Sequence, residues 1–138
     1  MEYFEAETDI AAAPDLVWPI LLDGTGYTSW DSGVERVEGT IADGAKIKVF
    51  SQVSPGRAFP VKVSIDQAGG RMTWTGGMPM GMFTGERTFT VTPTDDGCHF
   101  KMREEYTGPM LRFIWNSIPD LGPSFQQYAD GLKAAAEA

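Results

Sequence analysis

Residues 2 to 12 alternate, with Phe4, Ala6, Thr8 and Ile10 on one side and Tyr3, Glu5, Glu7 and Asp9 on the other. A period of two predicts a half-buried strand. In "AAPDLVWPILLDG" the period changes: Val17, Trp18, Leu21 and Leu22 make an apolar stripe at helical spacing. Pro14 suits the first helical position, Asp15 complements the positive end of the helix dipole, and Gly24 can end the helix. Pro19 stands near enough to the start to be tolerated. "TGYTSWDSG" predicts a shorter helical turn running into a loop.

Between Val34 and Thr107, strand-like runs are separated by the turn signals "ADGA", "SPGR", "AGGR", "GGMPMG" and "TDDG". This spacing predicts a six-strand antiparallel meander, and the opening strand makes seven. The last segment returns to helical spacing, with Met110, Ile114, Ile118, Leu121, Phe125, Tyr128 and Leu132 on one stripe. Pro119 and Pro123 each remove a backbone donor, so a kink or break is expected between 118 and 123. No repeat or low-complexity linker divides the chain, and one domain over residues 1–138 is expected.

A meander covered on one side has an inner and an outer face, and parity assigns residues to them. The inward set is Phe59, Val61, Val63 and Ile65 in "RAFPVKVSID". A two-residue "GG" turn at 69 and 70 would pair Ile65 with Trp74 and keep Met72 and Trp74 inward. Phe83, Gly85, Arg87, Phe89 and Val91 follow in "FTGERTFTVT", then Cys98, Phe100, Met102, Glu104 and Tyr106 in "CHFKMREEYTG". If Thr94 pairs with Gly97 across "TDDG", Arg87 stands opposite Glu104. A charge pair among Phe, Met and Trp is either a structural ion pair or the polar part of a binding site.

Charge narrows the choice of partner. Nineteen acidic residues against eleven basic ones leave a net charge of -8, which repels phosphate backbones and anionic membranes, so no nucleic acid is expected. One cysteine and one histidine cannot make a disulfide or fill a zinc shell, so neither metal nor cofactor is expected. Cys98 reads as a small buried hydrophobe and His99 as a surface imidazole. Neither a leader pattern nor a run of membrane-spanning length is present in "MEYFEAETDI" or beyond, so no membrane insertion and a cytoplasmic location are expected.

The element order, carried by "DIAAAPDLVWPILLDGTGYTSW", "FTGERTFTV", "GCHFKMREEYTG" and "LKAAAE", resembles the START and Bet v 1-like (SRPBCC) superfamily, in particular its small polyketide cyclase/dehydrase-like branch. The resemblance implies an α+β helix-grip fold, with a curved seven-stranded sheet around a long, kinked C-terminal helix and a deep cavity for apolar ligands. It also implies that the inward residues line that cavity, joined by Met110, Phe113, Ile114 and Phe125. Relatives often carry histidine at the position of Arg87; arginine there removes an imidazole from any proton transfer.

The residues leave three functions open. One is binding of a small apolar or amphipathic, lipid- or polyketide-like ligand, with Arg87, Glu104 and Tyr106 as its polar contacts. Another is a metal-free cyclase, dehydratase or isomerase in which Glu104 moves a proton while Arg87 or Tyr106 stabilises an enolate. The last is a co-chaperone-like interaction module, with a homodimer left open, in which Trp115 faces a partner rather than packing under the sheet edge. The loop "GGMPMG" shares a rim with the start of the C-terminal segment. There Met78, Met80 and Met82 are expected to close the cavity mouth as an adaptable lid.

Overall fold

The computed structural model describes residues 1–138. Its seven strands are β1 (Glu2–Ile10), β2 (Val34–Glu38), β3 (Lys46–Ser51), β4 (Ala58–Asp66), β5 (Arg71–Met78), β6 (Phe83–Thr94) and β7 (Gly97–Thr107). They form one antiparallel sheet in the order β1-β7-β6-β5-β4-β3-β2, so β2 to β7 are the expected meander and the opening strand joins its far edge. Helix α1 (Pro14–Leu22) starts at Pro14 with Asp15 in its first turn, and a 3-10 turn (Thr25–Ser29) follows. This is the α+β helix-grip fold.

The C-terminal element is broken rather than kinked. A single turn, α2 (Leu111–Ile114), runs into a 3-10 turn (Trp115–Ser117), and helix α3 (Gly122–Glu137) begins only after Pro119. Pro119 cannot extend the preceding turn, whereas Pro123 sits in the first turn of α3, where its missing donor costs nothing. Phe125, Tyr128, Ala129 and Leu132 form the buried face of α3, at steps of three and four.

The registers place the inner face in rows. Ile65, Met72, Phe89, Met102 and Ala6 align across β4, β5, β6, β7 and β1. The next row is Val63, Trp74, Arg87, Glu104 and Phe4, then come Gly76, Gly85 and Tyr106, and finally Met78 and Phe83. The β6–β7 turn has the expected Thr94–Gly97 pairing. The β4–β5 turn does not: Ile65 pairs with Met72, and the loop has four residues instead of two. Asp66 Oδ1 accepts the Gly69 N–H at 2.9 Å, and the Gly70 N–H reaches the Gln67 carbonyl at 3.0 Å, which stabilises the longer loop. The shift is two residues, so the inward parity of Met72 and Trp74 survives.

The core sits where α1 and α3 cover the first row. Val17, Trp18 and Leu21 from α1 meet Phe125, Tyr128 and Leu132 from α3 over Met72, Phe89, Val91 and Phe100. Fully burying each such side chain contributes about 1.5–3 kcal/mol. Tyr128 Oη donates to Tyr27 Oη at 2.9 Å, which donates to the Leu21 carbonyl at 2.6 Å, so these buried hydroxyls are satisfied. Burial raises the pKa of both phenols and keeps them neutral.

Candidate ligand-binding site

Beyond the first row the helices no longer fill the sheet's concavity. Because α3 starts at Gly122, residues 114–121 span the open end as short turns, leaving a cavity of about 560 Å³. A volume in this range suits a small organic molecule. Its sheet wall is built from Phe59, Val61, Trp74, Met78, Phe83, Arg87, Met102, Glu104 and Tyr106, and its roof from Ile114, Ile118, Leu121, Phe125 and Tyr128. Ser51, Val53, Ser54 and Arg57 close the side formed by β3 and the loop after it.

Arg87 and Glu104 face each other across β6 and β7, with Nε donating to Oε1 at 2.7 Å. Their side chains are 21% and 17% exposed. The guanidinium carbon lies 4.7 Å from the ring centre of Phe125 and 6.0 Å from that of Trp74, so arginine's charge is also held between aromatic faces. Burial works against that charge, but the Glu104 carboxylate outweighs it and holds the Arg87 pKa above its ordinary value. Gly85 makes the space: a Cβ there would stand 3.0 Å from Glu104 Oε2 and 3.5 Å from the Tyr106 ring.

Two further donors on this wall are unspent. Trp74 Nε1 is buried without a partner, and so is Tyr106 Oη, although it lies beside Glu104. Burial, and then the neighbouring carboxylate, push the Tyr106 pKa above the ordinary phenol range, so it stays a neutral donor. Unpaired buried donors are costly in a finished core and are expected in a site that awaits an acceptor.

The eighteen residues expected to line the cavity divide into three groups. Phe59, Val61, Trp74, Met78, Phe83, Arg87, Met102, Glu104, Tyr106, Ile114 and Phe125 stand on its wall. Val63, Met72 and Phe89 do not: they are fully buried in the packed core, because α1 and α3 reach down onto that part of the sheet. Met80, Met82, Met110 and Phe113 also lie off the wall. Met80 is 97% exposed and Phe113 63% exposed, each on a short turn that directs its side chain to solvent. The methionine loop is therefore a rim with only Met78 in the mouth, and the lid expectation is corrected accordingly.

The rim geometry itself is present, since the Met110 N–H donates to the Met82 carbonyl at 2.9 Å. Trp115 packs under the sheet edge, stacked on Phe4 at 5.4 Å and tilted against Tyr106 at 5.5 Å. Tyr128, Val49 and Arg57 were missed as wall residues. The helical stripe contains Tyr128, and the signal for Val49 is the alternation in "KIKVFS", whose Ile47 and Val49 share a buried face. Arg57 follows a turn and carried no such signal. No group of three or more His, Cys, Asp or Glu side chains is placed to hold a metal ion.

A half-open sheet gripping a helix, with a mostly apolar cavity and a few polar groups between them, defines the ligand-cavity class of helix-grip proteins. The chain belongs to the family described as polyketide cyclase/dehydrase and lipid transport, whose model matches residues 1–137. No curated protein matches it by sequence. Among solved structures, it is similar to the Zhui aromatase/cyclase from a Streptomyces species (TM-score 0.74, 15% identity, covering 99% of this chain and 93% of that one). It is also similar to a norcoclaurine synthase point mutant from Thalictrum, solved with a transition-state analogue (TM-score 0.69, 18% identity, 98% and 93% covered). A hypothetical protein from Helicobacter pylori superimposes at a TM-score of 0.77 with 15% identity, covering 98% and 88%. At these identities the likeness is one of fold.

Proposed function

We propose that this protein binds a small, mostly apolar molecule in the cavity between the sheet and the C-terminal segment. The observation that carries the reading is the cavity wall itself: apolar over most of its area, with Arg87, Glu104, Trp74 and Tyr106 gathered on one side. Such a wall holds a ligand by burial and orients it through a few polar contacts. An environment-sensitive naphthalene dye should bind the purified protein at one site. Replacing Val61 with Trp, which fills the cavity from the sheet side, should abolish binding without unfolding the chain. Undiminished binding by that variant would refute the reading.

A catalytic reading is favoured by one observation, the unshared Oε2 of Glu104 on the wall. In that reading Glu104 exchanges a proton with a carbonyl compound and the neighbouring donors stabilise the oxygen as charge develops on it. Glu104→Gln separates the two functions, since it keeps a shape that binds and removes the group that would move the proton.

A further inference from the structure

Arg87 has a single hydrogen bond, from Nε to Glu104 Oε1. Its two terminal nitrogens have no protein acceptor, Oε2 of Glu104 has no protein donor, and none of the three atoms is sealed inside protein. The wall thus presents donors beside an acceptor on a pair whose charges already cancel. Resting on the cavity reading above, we propose that the site selects a ligand whose polar head is neutral and carries an acceptor next to a donor, as in a primary amide or a hydroxy ketone. It discriminates against a carboxylate of the same shape.

Electrostatics and hydrogen bonding agree on this. An anionic head entering the cavity loses its hydration and meets an arginine whose charge is already neutralised by the carboxylate of Glu104, which itself repels the anion. A neutral head avoids that repulsion. Its oxygen accepts from N–H groups of Arg87 and its own O–H or N–H donates to Oε2, so both members of the pair gain a partner. Gly85 leaves the space beside Oε2 that the donor of such a head needs. A site built to hydrogen-bond its ligand rejects the analogue that lacks the matching groups, because its own buried groups then stay unpaired.

Three naphthalenes of one shape test this by calorimetric titration at neutral pH: 2-naphthamide, 2-naphthoate and 2-isopropylnaphthalene. The amide is expected to bind about tenfold or more tightly than either of the others. In Glu104→Gln the arginine loses its counter-charge, and the order of amide and carboxylate should reverse. Naphthoate binding the unaltered protein as tightly as naphthamide overturns the proposal and leaves the cavity reading in place; so does 2-isopropylnaphthalene matching the amide. If none of the three binds, the cavity reading falls and the proposal with it. The ranking in the unaltered protein needs no variant to fold, and Glu104→Gln, nearly isosteric, adds the reversal as a second readout.

Discussion

Two rows on the same inner face behave as different materials. Ile65, Met72, Phe89, Met102 and Ala6 make a largely closed row under α1 and α3, whereas one step toward the rim Val63, Trp74, Arg87, Glu104 and Phe4 already mix core with charge. A further step reaches Gly76 and Gly85, with no side chains at all. Strand parity is the same throughout. The difference is in what lies above: α3 starts at Gly122, so its apolar face covers one end of the concavity and leaves the other to short turns. A sheet residue's inward direction therefore states its face and not its fate.

The largest expected effect contrasts two phenylalanines of equal parity. Phe89→Ala, in the packed region, should lower unfolding free energy by about 3–5 kcal/mol, because the covering helices cannot collapse into the gap. Phe59→Ala, at the half-open mouth, should cost less than about 1 kcal/mol. Urea denaturation of both measures the gap, and equal losses would erase the distinction between the ends. A smaller effect sharpens the boundary: Gly85→Ala places a methyl 3.0 Å from Glu104 Oε2. It should weaken naphthamide binding about tenfold while lowering the urea midpoint only slightly, since the tight contact is with the far end of the Glu104 side chain, which can shift by a few tenths of an ångström.

The smallest effect comes from the outer face. His99 Nδ1 and Nε2 lie 2.7 Å from Asp9 and 2.8 Å from Glu7, and hydrogen bonding to Asp9, then to Glu7, raises the imidazole pKa above 6.5 despite some desolvation. A raised folded-state value adds stability that is fully present below about pH 6.5 and is lost as pH rises through the folded-state pKa. His99→Gln should flatten a shallow decline in thermal midpoint between about pH 6 and 8. An unaltered slope in that variant would assign the decline to other groups.

Parity and turn signals read from the chain were enough for the strand order, the register at Arg87 and Glu104 and the start of α1, but not for the β4–β5 turn or for the end of α1, which falls at Asp23 with Gly24 already in the next turn. They could not separate Val63, which is packed, from Val61, which lines the cavity, since both point inward on one strand. That distinction depends on how far α3 reaches, and two prolines said only that a break falls near 118–123. Met80 failed for a local reason. The shared rim is there, but Met80 adopts a left-handed backbone, φ 61°, in the turn at Pro79–Gly81, and its side chain is exposed to solvent instead of covering the mouth. Ser51, Val53 and Arg57 belong to the wall because the sheet curves, a long-range property with no period of its own.

The bond from the Met110 N–H to the Met82 carbonyl has a mechanical consequence. Gly108, at φ 114°, lets its backbone pass so close to Met82 that a side chain there would strike the Met82 carbonyl. The hairpin tip and the turn into α2 are thus fastened together. Any widening of the entrance that keeps this bond moves the two segments as one unit, and the exchange rate of a single amide hydrogen, that of Met110, counts how often the fastening itself breaks.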